Sequence, residues 1–366
     1  MGSEMCIRDR FGGATNDRES LMCGIAGRIL SADGKPGEVG RDLVDIMAAQ
    51  SHRGADSTGF AIYGAPLEGG YILRCMGFDQ QQIDTDLDDF RAILKSHGSD
   101  LLADPEIVSA GVGAYVGAGN EASADKKSEK RYSSEKHYSV RMKISDPKDI
   151  ASWVLETDEI ASRFEVQSCG RSLEIIKDTG DADAVANKHG VRELTGTHGL
   201  GHARLATESS VLPNASHPFW ARPFPDVAIV HNGQITDYYT RRDQLERAGY
   251  RFLTENDSEL IAVWVSDQIK QGLSTEQALS SSIQSIDGVF TYMIADATRI
   301  GFAKDRFAMK PIVAIEDNGS LAAATEEQAV RRVYKAEHQT INYDGPGLMG
   351  IWPARGSSQG GRKRAA

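Results

Sequence analysis

The chain has 366 residues, of which 40% are hydrophobic and 25% are charged, and its net charge is −11. This composition is that of a globular protein with one large or two modest cores. The acidic balance argues against nucleic acid or an anionic membrane surface as a partner. No stretch approaches the roughly 18 apolar residues that span a membrane. The four cysteines lack metal-ligand spacing, which indicates reduced thiols, so we expect a cytoplasmic protein.

The N-terminal part divides into an unpatterned segment and a short run of predicted elements. Residues 1–21 have neither helical nor strand periodicity, and we expect them to be non-native or a propeptide. A polar loop over 51–59 separates the first helix from the strand that follows it. The apolar pattern predicts a helix over 39–50 and strands over 24–30, 60–63 and 70–75.

Residues 77–195 differ in character and are interpreted as an inserted α+β subdomain. They include a charged stretch of low hydrophobicity over 117–136, which is typical of a flexible loop. Around this loop the pattern predicts a strand over 138–144 and helices over 86–96, 147–158 and 181–189.

From residue 196 the chain returns to dense strand signals. The alternation predicts strands over 198–206, 227–231, 289–296, 301–303 and 312–315. Helices are predicted over 237–248, 259–271 and 277–286. Residues 354–366 are expected to be a disordered tail. Antiparallel hairpins fit this order better than a repeated βαβ series, which disfavours a Rossmann fold or a barrel.

Residues 22–27 read Met-Cys-Gly-Ile-Ala-Gly. If Met22 were the start and were removed, Cys23 would carry a thiol and a free α-amine together. These two groups titrate close to each other near neutrality, so the amine can take the proton of the thiol. The motif therefore predicts a compact nucleophile with its own base.

Polar clusters at predicted strand ends supply the other groups that amide cleavage needs. The side-chain amide of Asn232 and the backbone N–H of Gly233 could form an oxyanion hole. Arg204 could hold a carboxylate, and Asp257 could hold an ammonium group. A carboxylate clamp, an ammonium clamp and an amide-cleaving thiol together describe glutamine as the substrate.

Five motifs in chain order resemble the class II glutamine amidotransferase domain. They read Met-Cys-Gly-Ile-Ala-Gly, Arg-Gly-x-Asp-Ser-x-Gly, His-x-Arg-x-Ala-Thr, His-Asn-Gly and Glu-x-Asp-Ser-Glu. The segments 303–311 and 323–327 are also similar to that domain. The resemblance implies the N-terminal-nucleophile fold, an αββα sandwich of two antiparallel sheets between helix layers. The amidotransferase domain would then comprise residues 22–76 and 196–353.

The resemblance also implies a role for each residue that matches a motif. Cys23 would be the nucleophile, Asn232 and Gly233 would stabilise the oxyanion, and Thr207 would line the pocket. Arg204 would bind the α-carboxylate of glutamine, and Asp257 with Gly233 its α-amine. Four further residues would support the site: Arg53, Gly54, Asp56 and His231. Leu205 and Glu208 depart from glucosamine-phosphate synthase, which has tryptophan and histidine at the matching positions.

Several of these residues have simpler interpretations. Cys23 could be a buried structural thiol, Arg204 and Asp257 could form a structural ion pair, and Asn-Gly is a strong hairpin-turn signal. His198 and His202 share one face of a predicted strand but lack a third ligand, so no metal site is expected, and no cofactor either. The dipeptide His217-Pro218 is interpreted as a structural loop feature.

The implied activity is hydrolysis of glutamine to glutamate through a thioester on Cys23. After residue 353 the sequence contains only a Gly/Ser/Lys/Arg-rich tail, so the ammonia acceptor is expected on a separate synthase subunit in a hetero-oligomer. This arrangement resembles complexes of the glutamate synthase or N-methylglutamate synthase type. The alternatives are an N-terminal-nucleophile hydrolase of another amide and a non-catalytic glutamine-sensing subunit.

Overall fold

The computed structural model describes residues 23–31, 33–109, 136–205 and 212–354, and the backbone of 361–364. Three sequence predictions lie outside this part of the chain: the nature of 1–21, the loop over 117–136 apart from its last residue, and the role of Thr207. The described residues form seventeen β-strands and eight α-helices. The mixed α/β layout predicted from the sequence is confirmed.

The strands are β1 (Gly24–Ile29), β2 (Ser57–Tyr63), β3 (Gly70–Gly77), β4 (Glu106–Ser109), β5 (Tyr138–Ser145), β6 (Phe164–Gly170), β7 (Leu173–Thr179), β8 (His198–Arg204), β9 (Phe219–Trp220), β10 (Ala228–Ile235), β11 (Gly288–Asp296), β12 (Arg299–Lys304), β13 (Val313–Asp317), β14 (Ser320–Ala324), β15 (Ile341–Asn342), β16 (Leu348–Pro353) and β17 (Gly361–Arg364). The α-helices are α1 (Val39–Ala48), α2 (Ile83–Ser96), α3 (Ile150–Thr157), α4 (Ala182–His189), α5 (Tyr238–Arg247), α6 (Asp257–Lys270), α7 (Thr275–Ser285) and α8 (Glu327–Val330).

Two large antiparallel sheets face each other at the centre of the molecule. The seven-stranded sheet has the order β15-β13-β14-β1-β8-β2-β7, and the six-stranded sheet has the order β17-β16-β12-β11-β10-β9. Apolar side chains of both sheets form the core between them, with Ile25 and Tyr63 on one side and Met293 and Phe302 on the other. The hydroxyl of Tyr63 also crosses this gap and donates to the carbonyl of Ala295 at 2.8 Å.

Helices cover the outer faces of both sheets. On the seven-stranded sheet, α1, α4 and α8 bury their apolar residues. On the six-stranded sheet, α6 and α7 do so, and α5 packs against α6. The helices α1, α4, α6, α7 and α8 thus each have an apolar face toward a sheet, as expected for surface helices. The αββα sandwich that was predicted is confirmed.

The inserted part has its own four-stranded sheet, in the order β4-β5-β3-β6. Its predicted bounds of 77–195 are wrong at both ends. Strand β3 pairs along its whole length with β5, so the insertion begins before residue 77. Strand β7 pairs with β2 instead, so residues 173–179 belong to the seven-stranded sheet. The insertion is also not a separate body, because Phe90 and Trp153 belong to the same core as the two large sheets.

The predicted disordered tail over 354–366 is wrong at 361–364. Strand β17 pairs there with β16, in the register Leu348↔Arg364 to Ile351↔Gly361. Strand β16 would otherwise be an edge of the six-stranded sheet, and an edge strand offers unpaired backbone groups to any extended segment. In the part of the chain that the structure describes, no helix has the length and apolarity needed to cross a membrane.

Candidate active site

Cys23 lies at the start of the central strand of the seven-stranded sheet. Strand β1 pairs with β8, and Gly24 faces Ala203 in the register. The Sγ atom of Cys23 therefore lies next to the end of β8, 3.9 Å from the carbonyl oxygen of Leu205. The carbonyl oxygen of Cys23 accepts a hydrogen bond of 2.9 Å from Nδ2 of Asn232, which belongs to the opposite sheet. The predicted nucleophile and one predicted oxyanion donor thus meet where the two sheets come together.

Two effects of its surroundings act in opposite directions on the pKa of the Cys23 thiol. Burial raises the pKa of its thiol, while the positive charges of Arg204 and Lys310 act in the lowering direction. Burial prevails, so the thiol is mainly protonated at neutral pH. Because the thiolate is the reactive form, attack on an amide requires a base that takes the proton.

Arg204 occupies the last position of β8 and is only 4% exposed. Its burial lowers the pKa of its guanidinium, whereas the charges of Asp56 and Asp257 raise it. The backbone N–H of Asp56 donates to the carbonyl of Arg204 at 3.2 Å. Arg204 is therefore a buried cation beside Cys23, with two carboxylates nearby.

Asn232 and Gly233 lie within strand β10 and not in a turn, which rules out the hairpin-turn interpretation of the dipeptide. An amide nitrogen carries two hydrogens, so the contact of Asn232 with Cys23 leaves one for a substrate oxygen. Gly233 has a φ of +144°, and a Cβ there would lie 2.0 Å from the carbonyl oxygen of Val289. Only glycine fits at this position.

The N–H of Gly233 faces the open side of β10. Its neighbours in the alternation, His231 and Ile235, donate their N–H groups away from β11, to Nδ1 of His217 at 3.2 Å and to Oδ2 of Asp257 at 3.0 Å. Peptide groups two residues apart in a strand point to the same side. The N–H of Gly233 is therefore directed away from β11, between these two contacts.

Asp257 begins helix α6, and its side chain is held beside β10 by the N–H of Ile235. It is 27% exposed, and its Oδ1 lies 3.9 Å from Nδ1 of His231. A partly exposed carboxylate at this place can accept an ammonium group. Its charge also acts on Arg204, so a structural ion pair between the two side chains is the competing interpretation.

Comparison with known proteins identifies the family of the chain. The family model described as "Glutamine amidotransferase domain" matches residues 202–332. A "Putative glutamine amidotransferase" of Methanothermobacter thermautotrophicus is 34% identical over 316 residues, which cover 85% of this chain and 94% of that protein. The chain belongs to the glutamine amidotransferase family.

The chain is also similar to two further proteins. The "Glutamine amidotransferase-like protein GlxB" of Rhizobium meliloti is 28% identical over 331 residues, 90% of this chain and 98% of that protein. The glutamine phosphoribosylpyrophosphate amidotransferase of B. subtilis aligns in structure with a TM-score of 0.55 and 14% identity. That alignment covers 94% of this chain and 49% of the B. subtilis chain. This likeness shows that the two proteins share a fold, and the fold predicted from the family resemblance is confirmed.

Arg53 is connected to the strand that follows Cys23 through Glu326 and Thr325. Its Nε donates to Oε1 of Glu326, and the neighbouring Thr325 bonds the backbone of Ile25 on both sides. The Oγ1 of Thr325 accepts from the N–H of Ile25 at 2.9 Å, and its N–H donates to the carbonyl of Ile25 at 3.1 Å. Arg53 is thus linked to β1 at Ile25, two residues after Cys23.

Sequence reasoning assigned no role to Lys310 or Thr325. Lys310 lies in the segment 303–311 and Thr325 in the segment 323–327, and both segments resemble the family. That resemblance was the one feature of the sequence that could have indicated these residues. The charge of Lys310 acts on both Cys23 and His231. Among the described residues there is no group of three or more His, Cys, Asp or Glu side chains that could hold a metal ion.

We expect Gly54→Ala to lower kcat/KM for glutamine about 100-fold, as misplacement of a binding group does. A Cβ at this position would lie 2.3 Å from the carbonyl carbon of Arg204 and would displace it. Gly64→Ala is the matched control, because its nearest atom would be 3.4 Å away, and we expect it to change kcat/KM less than about twofold. Initial rates of ammonia release measure both, and equal kinetics in the two variants would contradict the prediction.

Proposed function

We propose that this amidotransferase hydrolyses glutamine through a thioester on Cys23. The thiolate attacks the side-chain amide carbon, and the C–N bond breaks as the nitrogen takes up a proton and leaves as ammonia. Water then attacks the thioester carbonyl, which releases glutamate and returns the thiol. The observation that carries the proposal is the meeting of Cys23, Arg204 and Asn232 at one point between the two sheets.

The surrounding groups suit the charges of glutamine and of the transition state. Arg204 would bind the α-carboxylate, for which a guanidinium is the matching donor. Asp257 would bind the α-amine together with Gly233. The Asn232 amide and the Gly233 N–H would face the oxygen on which negative charge develops. Thr207 would line the pocket, as the family resemblance implies.

The base is proposed to be the α-amine of Cys23 itself. In the 366-residue chain this nitrogen is part of the peptide bond with Met22, so the base exists only after residues 1–22 have been removed. An amine attached to the nucleophilic residue is held within reach of the thiol at no cost in orientation.

The ammonia acceptor is proposed to lie on a separate synthase subunit, of the glutamate synthase or N-methylglutamate synthase type. In support, the chain matches 94% and 98% of the length of two relatives whose names mention only an amidotransferase or an amidotransferase-like protein. Ammonia that is released without an acceptor would be lost to solvent, so a hetero-oligomer is the arrangement that makes use of it.

We expect the mature protein to begin at Cys23, and Cys23→Ala to lower glutamine hydrolysis by at least about 10³-fold, since the nucleophile is lost. Intact mass and N-terminal sequencing, followed by an ammonia assay, measure this. Cys75→Ala is the control, because Cys75 is buried in the insertion and its loss should leave ammonia release in place. Full activity in a protein that keeps residues 1–22 would overturn the mechanism.

We expect Arg204→Gln to raise the KM for glutamine about 100-fold, as the loss of a charged hydrogen-bond partner predicts. Arg74→Gln is the matched control: Arg74 is also a buried arginine, but it lies on β3 and pairs with Glu174 of β7, so the KM should stay unchanged. A KM in Arg204→Gln equal to that of the control would favour the structural ion pair with Asp257.

We expect a tagged form of the chain, expressed in its native cells, to co-purify with the subunit that accepts ammonia. With glutamine labelled with ¹⁵N at the side-chain amide, the label should enter an organic product only in the presence of that subunit. A protein that purifies alone from its native cells and releases all label as free ammonium would favour a hydrolase without a partner. Binding of glutamine without cleavage would favour the sensing subunit.

A further inference from the structure

Three buried histidines lie together behind the proposed oxyanion site. They are His202 on β8, His217 in the segment before β9, and His231 on β10, directly before Asn232. The rings of His202 and His217 stack, with centroids 3.8 Å apart and planes 4° from parallel. The proposed reaction assigns no proton transfer to any of these rings.

The rings of His217 and His202 form hydrogen bonds with the backbone N–H and the backbone carbonyl of His231. The N–H of His231 donates to Nδ1 of His217 at 3.2 Å, and its carbonyl oxygen accepts from Nε2 of His202 at 3.0 Å. Strand β9 pairs with β10 only at Ala228 and Ile229. At His231 the two imidazole rings therefore take the place of a neighbouring strand.

These contacts fix the protonation of the rings. A carbonyl oxygen can only accept, so Nε2 of His202 carries a hydrogen. A backbone N–H can only donate, so Nδ1 of His217 carries none. Burial lowers the pKa of His202 to about 3 and lowers that of His217 well below its usual value. Both rings are consequently neutral at physiological pH.

The ring of His231 joins this pair to the start of helix α6. Its Nδ1 lies 2.8 Å from Oγ of Ser258, the residue after Asp257. The side chain of Asn256 donates to the carbonyl of Ala215 at 2.8 Å, two residues before His217. The segments that hold His217, Asp257 and His231 are therefore connected by hydrogen bonds among buried groups.

We propose that His217 and His202 are positioning residues for amide cleavage, and that they hold the His231 peptide so that Asn232 and Gly233 face the developing oxyanion. The inference rests on the proposed function. The N–H of Gly233 points to the same side of β10 as that of His231, so a rotation of the His231 peptide would turn the oxyanion donor with it. Donor placement affects the transition state more than the bound substrate.

The test compares variants that remove or keep each contact. His217→Leu removes the acceptor, whereas the Oδ1 of asparagine in His217→Asn can replace Nδ1. His202→Leu removes the donor, whereas the Nε2 of glutamine in His202→Gln can replace it. His198→Leu is the control: this buried histidine lies on the same strand as His202 and contacts the carbonyl of Asp296 at 2.8 Å, away from Cys23.

We expect both leucine variants to lower kcat for glutamine hydrolysis about 10- to 100-fold while KM changes less than about threefold. The asparagine and glutamine variants should recover most of kcat. His198→Leu should lower the unfolding temperature and keep kcat. A glutamine analogue with an aldehyde in place of the amide forms a tetrahedral adduct with a thiol, and its affinity should fall in the leucine variants while that of glutamate does not.

Wild-type kcat in the leucine variants, or a loss of kcat that the conservative variants fail to recover, would overturn the positioning role. If His217→Leu does not fold, the kcat and KM of His202→Leu and His202→Gln test the positioning role by the same criteria. Failure of the proposed function is a separate result, because the wild-type protein would then not hydrolyse glutamine or Cys23→Ala would remain active.

Discussion

Strand β1 lies between β8 and β14 at the centre of the seven-stranded sheet, and all six of its residues are buried. Its register with both neighbours, for example Ala26 opposite Gly201 and Ala324, determines where Cys23 lies. A slip of one residue would turn every side chain of β1 to the other face. Cys23, the proposed nucleophile, is therefore located by backbone pairing along a whole strand, and Arg204, at the end of β8, is located by the same register.

Close backbone approaches explain the glycines of the motifs. A Cβ at Gly59 would lie 2.0 Å from the carbonyl oxygen of His217, and one at Gly54 would lie 2.3 Å from the carbonyl carbon of Arg204. The two glycines of Arg-Gly-x-Asp-Ser-x-Gly thus let the segments that carry His217 and Arg204 reach their places. The motif is therefore not only a set of polar residues: its glycines are required because neighbouring backbone segments approach too closely for a Cβ.

Local sequence patterns predicted the positions of many helices and strands well, but they did not predict which strands pair with one another. The helix predicted over 259–271 is Asp257–Lys270, and the strand predicted over 198–206 is His198–Arg204. The bounds of the insertion and the pairing of β17 could not be predicted, because strand pairing depends on residues far away in the chain. His217 was interpreted as a loop feature, since nothing in its neighbourhood indicates that its ring accepts the N–H of His231.

Burial has opposite effects on the pKa of the thiol and on the pKa values of the imidazoles. These effects help to decide which group takes the proton of the Cys23 thiol. It raises the pKa of Cys23 and lowers the pKa values of His202, His217 and His231. A buried neutral imidazole could in principle take a proton, but Nδ1 of His217 already accepts from a backbone N–H, and Nε2 of His202 donates to a carbonyl. Both rings would lose a buried hydrogen bond or gain an unsolvated charge if they served as bases. An amine on Cys23 itself avoids both costs, which supports the proposal that the base is the terminus that removal of residues 1–22 would create.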